Sequence, residues 1–375
     1  MTVSESKRLV DLVQSDIDVF LDEREPLLAS IGSDLAPFIG FSRDLLRGGK
    51  RFRALFCYWG WQSVSGHVTA FDVIPDRAVE SDFRAVVRAA SGLEVFHAAA
   101  LVHDDIMDNS DTRRGMPSAH KRFQGLHDDG RWTGSARSFG ASAALLLGDL
   151  LLSWSDELFD SGLQALTSPA ARVAAREEFN RMRTEVTVGQ YLDVLEERSW
   201  RNYPEPDLLS RAHRVIVYKS AKYSIEAPLA IGAALAGGSA TQVSALREFG
   251  LPLGIAYQLR DDLLGVFGDP ETTGKPSGDD LREGKRTVLI ALARNKLPAS
   301  STSLLDELLG DPELSAQQVT MLQASIRDSG AVEHVERIID HNVALAITAI
   351  EDAPLSTASK QQLVQLADTV IKRSA

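Results

Sequence analysis

Two stretches carry acids at spacings suited to metal and phosphate chemistry, ALVHDDIMD at 100–108 and YQLRDDLLG at 257–265. In the first, Asp104 and Asp108 stand four apart, on one face of a helix, with Asp105 beside them. They fall at the helix C-terminal end, where the macrodipole already disfavours negative charge, so a cation is needed to compensate. Carboxylate oxygens without a nearby cysteine favour magnesium, with manganese as the alternative, over zinc, and magnesium usually bridges to substrate phosphates. The second stretch repeats the pair as Asp261 and Asp262, which suggests one shared metal cluster. An isolated DDxxD is also what a solvated helix end running into a turn displays. Here both pairs follow strongly apolar helical stretches, and each precedes a cationic loop: Arg113 and Arg114 after the first, Lys275 and Lys285 after the second. Together they imply a buried site for a phosphate-bearing ligand.

A third element, LRGGKRFRALF at 46–56, opens a helix at Gly48 and Gly49 and places Lys50, Arg51 and Arg53 in its first turn. Helix N-termini attract anions. Lys50 and Arg53 share a face that could grip one diphosphate, or they are simply a basic helix start on a solvated surface.

The elements that position these groups read as helices. Apolar residues recur at three-and-four spacing, as in Leu9, Val13, Ile17, Phe20 and Leu21, and sustained period-two alternation is hard to find. Expected helices cover 5–23, 42–63, 82–109, 137–166, 169–199, 207–220, 222–236 and 241–267, with four shorter ones after 286. The fold class expected is all-α, one large helical bundle forming a single domain over residues 1–375, with loops at 110–136, 200–206 and 268–285.

Composition narrows the function. Hydrophobic residues at 44% and charged residues at 25% exclude disordered and collagen-like classes. A net charge of −12 argues against a nonspecific nucleic-acid binder, so an anionic ligand must be held locally. The lone Cys57 excludes an internal disulfide and a cysteine zinc site, which suits a reducing compartment and makes the cytoplasm the expected location. The start MTVSESKRLVDLV lacks the pattern of a signal peptide. ASAALLL before Asp149 and APLAIGAALAGG at 227–238 fall short of the ~20 residues that a bilayer span requires, so no transmembrane segment is expected.

GGKRFR, EVFHAAALVHDDIMDNSDTRRGMPSAH, YKSAKYS, YQLRDDLLGVFGD and TGKPSGDDLREGKR, in this order over about 40–290, resemble the trans-type polyprenyl diphosphate synthases, and most closely the bacterial geranylgeranyl diphosphate synthases. The resemblance implies an isoprenoid-synthase bundle with a central cavity. It makes Asp104, Asp105 and Asp108 the first aspartate motif and Asp261 with Asp262 the second, jointly holding three magnesium ions. It gives Arg113 to the allylic diphosphate, and Lys50, Arg53, His97 and Arg114 to isopentenyl diphosphate. Lys219, Gln258 and Lys275 match positions around the allylic diphosphate and the developing carbocation, and Ser220 stands where Thr is more usual. On its own, His97 among VFHAAALV reads as a hydrogen-bonded core residue; the resemblance makes it a ligand contact. Gln190 and Asp193 of GQYLD resemble a cavity-lining motif, or form a polar packing pair. His103, His120 and His127 match no role.

The second motif departs from the usual DDxxD: its fifth position is Gly265, and the next acid is Asp269, two turns after Asp261, for which no direct role is expected. The implied reaction is head-to-tail condensation of isopentenyl diphosphate with dimethylallyl, geranyl or farnesyl diphosphate to give geranylgeranyl diphosphate. Farnesyl or longer products, a terpene cyclase and a noncatalytic partner subunit are the alternatives. In this family bulk at four and five residues before the first motif stops products at fifteen carbons. Here those positions are Ala100 and Ala99, so the tunnel is expected to pass them and meet Phe96, one turn lower. The resemblance also implies a homodimer.

Overall fold

The computed structural model describes residues 2–66, 77–269 and 277–371. Apart from one two-residue hairpin, the described residues form helices and their connections. They run α1 (Thr2–Ile31), α2 (Ala36–Leu45), α3 (Phe52–Ser65), α4 (Arg77–Met107), α5 (Ala119–Asp129), α6 (Ala136–Ala165), α7 (Pro169–Ser199), α8 (Glu205–Val215), α9 (Ala227–Leu235) and α10 (Ala240–Phe267). There follow α11 (Asp279–Glu283), α12 (Val288–Arg294), α13 (Ala299–Leu308), α14 (Ala316–Asp328), α15 (Ala331–Glu351) and α16 (Thr357–Ile371).

The helix expected over 42–63 is two helices, because Gly48 and Gly49 take φ of 68° and 86° and break the ladder between α2 and α3. The stretch 110–136 is not all loop: it holds the hairpin and α5, a helix whose apolar positions are few. The break expected at 220–222 is absent. There the chain continues from α8 into α9 through a π-helical segment, Ile216–Glu226. Pro228, in the first turn of α9, has no N–H to donate and its ring crowds the carbonyl four residues back, that of Ser224, so the preceding turns widen.

The buried side chains fall into two clusters. One joins α1, α3, α4, α6, α7 and α9 around Phe56, Leu93, Leu151 and Phe179; the other joins α10, α12, α14 and α15 around Leu263, Leu289 and Ile339. The π segment contributes to both, through Tyr223 to the first and Ile216 to the second. A cavity of about 850 Å³ opens along this seam. Among the described residues two helices are long and apolar enough to cross a membrane, Glu80–Met107 and Ala136–Ala165, more than the sequence reading expected; the apolar window of the first is mostly buried in protein. In α6 less than half of that window is buried, and Phe139, Leu145 and Leu146 are exposed. Cys57 is fully buried, and burial pushes its thiol up to about 12, so it acts as core packing.

Candidate active site

Seven elements deliver the chemistry to the cavity: the C-terminal ends of α4, α7 and α10, the π segment, the turn before α3, the hairpin, and the connection between α11 and α12 that carries Lys285. On α4, Asp104 and Asp108 line the cavity one turn apart. Asp104 accepts hydrogen bonds from Lys219 Nζ at 3.0 Å and Gln190 Nε2 at 2.9 Å. Asp108 Oδ2 accepts from Lys285 Nζ at 2.6 Å. Asp193 Oδ2, on α7, bridges the two ammonium groups, at 2.5 Å from Lys219 and 3.3 Å from Lys285. Glu197, one turn further on α7, also takes Lys285, at 2.9 Å. Lys219 reaches this position because α7 carries Gly189, where a Cβ would stand 2.4 Å from the Lys219 backbone nitrogen; no other residue lets the π segment approach so closely.

Asp105 differs from its expected place. Rotated ~100° around α4 from Asp104, it lies off the cavity lining, 1% exposed, and accepts a fork of hydrogen bonds from Arg113, the Nε contact being 2.9 Å. It therefore orients Arg113, which does line the cavity. Arg113 stands in the first strand of the hairpin, Thr112–Arg113, paired antiparallel with Met116–Pro117. The connecting residues Arg114 and Gly115 both have positive φ, a turn that matches strand twist and puts two arginines side by side.

From α10, Gln258, Asp261 and Asp262 line the cavity, and Gln258 Nε2 donates to Asp262 Oδ1 at 2.8 Å. At Gly265 a Cβ would stand 2.0 Å from the carboxylate of Asp280 on α11, so an acid there would require the Asp280 side chain to move. Asp269 is outside the lining. Lys50, Arg53, His97, Arg114 and Ser220 line the cavity, and Lys275 lies outside the described residues. Of the chain-length positions only Ala100 lines it. Ala99 points to a different face of α4 and is fully buried, and Phe96 is buried behind Tyr223, with ring centroids 5.8 Å apart. Tyr223 and Glu197 escaped sequence reading; Glu197 falls one turn after Asp193, a spacing that places both on the Gln190 face.

Charge is strongly coupled here. Burial raises Asp104, but Lys219, Lys285 and Arg113 outweigh it and hold the carboxyl well below the usual range. Burial together with the charge of Asp104 pushes Asp108 up to about 7. Burial also pushes Asp262 up to about 7, against the hydrogen bond from Gln258. Lys219 and Lys285 resist burial because Asp193 holds both above the ordinary ammonium range.

Among the described residues no three acids or histidines already converge as a metal shell; the acids converge on Lys219, Lys285 and Arg113 instead. Asp108 Oδ1 and Asp262 Oδ2, one from each motif, are nevertheless buried oxygens without a hydrogen-bond partner among the described residues. Such groups are costly unless a cation or donor satisfies them, and hard oxygens of this kind suit magnesium, so the residues fit the metal.

His97 Nδ1 lies 3.2 Å from Tyr223 Oη, and burial, then Arg53 and Arg114, drive its pKa well below the usual value. It is neutral in the folded protein. The unfolded chain takes up a proton below about pH 6.5 that the native state refuses, so this residue's contribution to stability falls as the pH drops through that value. Thermal unfolding from pH 7.5 to 5 should show the wild type losing stability relative to His97→Gln; a pH-independent difference would refute a neutral His97. His103 bonds the Leu145 carbonyl, His120 bonds Ser118, and His127 packs on Trp132 and Phe139 in the hairpin–α5 region, all outside the cavity.

A helical bundle that gathers acids from α4, α7 and α10 against basic groups suits a diphosphate held with a divalent metal. Residues 40–326 match the family model described as polyprenyl synthetase, and the chain belongs to that family, whose members are trans-prenyltransferases. It is 31% identical over 336 residues to a geranylfarnesyl diphosphate synthase of Aeropyrum pernix, covering 89% of this chain and 93% of that one. It is 28% identical over 353 residues to a geranylgeranyl diphosphate synthase of Mycobacterium tuberculosis, covering 93% and 87%. Its fold superposes with a TM-score of 0.88 and 36% identity on a geranylgeranyl pyrophosphate synthase from Corynebacterium glutamicum, solved with isoprenyl diphosphate and magnesium, over 98% of this chain and 99% of that one.

Proposed function

We propose that this trans-prenyltransferase condenses isopentenyl diphosphate with dimethylallyl, geranyl and farnesyl diphosphates and releases geranylgeranyl diphosphate. The observation that carries the reading is one cavity whose cations form two groups, Lys50, Arg53 and Arg114 at the turn before α3, and Arg113, Lys219 and Lys285 paired with Asp104 and Asp108. Two diphosphates then bind together, and only one needs to leave.

Asp104, Asp108, Asp261 and Asp262 are the residues we assign to three magnesium ions, which when bound supply positive charge to the departing diphosphate. As the allylic carbon–oxygen bond breaks, Lys219 and Arg113 face the charge that develops on the diphosphate, where fixed charges in a dry site act strongly. The isopentenyl double bond, its diphosphate held by the first group, attacks the cation. The proton then lost goes to the departing diphosphate, so no side-chain base is required. Ala100, Leu101, Val186 and Tyr223 form an apolar wall that excludes water from the cation. A second copy of this chain is the partner we propose, supported by the exposed apolar face of α6.

Incubation with magnesium, isopentenyl diphosphate and each allylic primer, with products resolved by chain length, tests the reading. Twenty-carbon diphosphate is expected; no condensation with any primer would overturn it. Lys50→Ala or Arg53→Ala should raise KM for isopentenyl diphosphate far more than for the primer, by about one to two powers of ten for each charge-assisted hydrogen bond removed. Arg113→Ala should do the reverse, and also lose stability as the buried Asp105 loses the guanidinium that forks onto it. Equal effects on both substrates would sink the division between the groups.

A further inference from the structure

The turn that carries Lys50 and Arg53 is held by a carboxylate from another helix. Arg51 is the residue before α3 and sits in the left-handed region at φ 50°, with no side-chain acceptor to cap the helix. The missing cap comes from Glu94 on α4, whose Oε1 accepts the Ala54 N–H at 3.1 Å. Glu94 Oε2 takes Arg51 Nη1 at 3.2 Å, and both side chains are 5% exposed. The other arm of Arg51 donates to the Leu46 carbonyl and, at 2.6 Å, to Gln14 Oε1 on α1. One ion pair thus ties α1, the turn, α3 and α4 together.

Its placement is unusual for a site that binds anions. A carboxylate beside a helix N-terminus occupies the place an anionic ligand favours, and it would repel a diphosphate unless its charge were neutralised. Arg51, which lines the cavity beside Glu94, neutralises it, and in doing so commits its guanidinium to Glu94, Gln14 and the Leu46 carbonyl. Lys50 and Arg53, on either side, are left to face the cavity: Arg53 Nη2 donates to Ser224 Oγ at 2.9 Å and its guanidinium lies 4.3 Å from the Tyr223 ring centroid. Gly49 completes the turn at φ 86°, where a Cβ would press on the Arg114 guanidinium at 3.3 Å.

We propose that Glu94 and Arg51 are positioning residues for the isopentenyl diphosphate site, acting through Lys50, Arg53 and the left-handed turn rather than by touching substrate. The proposal rests on the reaction read above. Held on four segments, the turn presents its cations already oriented, so binding need not order them.

The test is steady-state kinetics of Glu94→Gln, Arg51→Gln and the double variant, varying each substrate with the other saturating, beside calorimetric titration of isopentenyl diphosphate alone. Each single change should raise KM and Kd for isopentenyl diphosphate about tenfold or more, with kcat and the primer KM within about twofold. The double variant should be no worse than the poorer single one, because the pair acts as a unit. Gln14→Ala, which removes only the α1 anchor, should give the same selective rise on a smaller scale even if the buried changes impair folding. Both KM values rising together would mean a merely structural pair. An unchanged or lowered KM for isopentenyl diphosphate would overturn positioning outright. A wild type that condenses nothing would instead refute the proposed reaction.

Discussion

Asp104→Ala and Asp261→Ala should each abolish turnover, by about three powers of ten or more, while the fold survives. The two acids line the cavity from separate helices, and each change removes a hard oxygen from ions needed as diphosphate charge develops. Survival of the fold follows from the ion-pair network. Without Asp104, Lys219 keeps Asp193 at 2.5 Å, so no buried ammonium is stranded. Asp261 is exposed at the cavity mouth, and its loss opens no void in the core. Asp105→Ala should lose stability as well as turnover. It removes the close partner that orients Arg113, leaving Asp104 at 3.6 Å, and should cost up to about 3–5 kcal/mol. Turnover at limiting and saturating magnesium, beside melting temperatures, separates these outcomes. Near-native turnover of either Asp104→Ala or Asp261→Ala at limiting magnesium, with unchanged stability, would refute the metal assignment.

The contrast between Asp104 and Asp105 marks how far the sequence reaches. Spacing alone put Asp104 and Asp108 on one face, because four residues nearly complete a helical turn. It could not say which face met the cavity, and so Asp105 was grouped with its neighbours. The rotation of α4 is set by its packing on α6, which no local pattern encodes. The π segment illustrates a second limit: YKSAKYS has ordinary helical periodicity, and only Pro228, four residues after Ser224, signals a widened ladder. Lys285 illustrates a third. It was visible as a loop cation, but its partners Asp108, Asp193 and Glu197 lie 177, 92 and 88 residues away and meet it only through tertiary packing. Glu94 opens the EVFHAAALVHDD stretch and gave no sign of its role, since a lone Glu in an apolar helix shows its partner only when α3 is laid beside it.

Chain length should respond to single substitutions, and the aromatic rings packed behind Tyr223 give the order of events. A product anchored by its diphosphate grows away from the aspartates, so whatever stands at the far wall stops it. Ala100 lines that path, and Ala100→Phe should shorten the main product to farnesyl diphosphate; Ala99→Phe, off the lining, should disturb packing without the same shortening. Beyond Tyr223 the aromatic rings come in series. Phe96 lies 5.8 Å from Tyr223, Phe179 lies 6.2 Å beyond Phe96, and Phe159 stacks on Phe179 at 4.0 Å. Arg176 and Arg183 cover this last pair, and Arg176 is tied to Asp156 and Asp160 at 2.8 Å each. Phe96→Ala frees the space into which the Tyr223 ring can turn, and should lengthen the product past twenty carbons, yet by about one isoprene unit, comparable to a 5.4 Å helical turn, before Phe179 stops it. Phe179→Ala alone should leave the length unchanged, because Phe96 still stands in front. The double variant should run further than either. Each Phe→Ala change in this core costs about 3–5 kcal/mol, so Leu replacements provide the parallel series if the Ala variants unfold. A Phe96→Ala enzyme that stopped at the wild-type length would remove Phe96 as the floor. Lengthening by Phe179→Ala alone would break the order of the rings, and a wild-type product of thirty carbons or more would show that no floor exists at this depth.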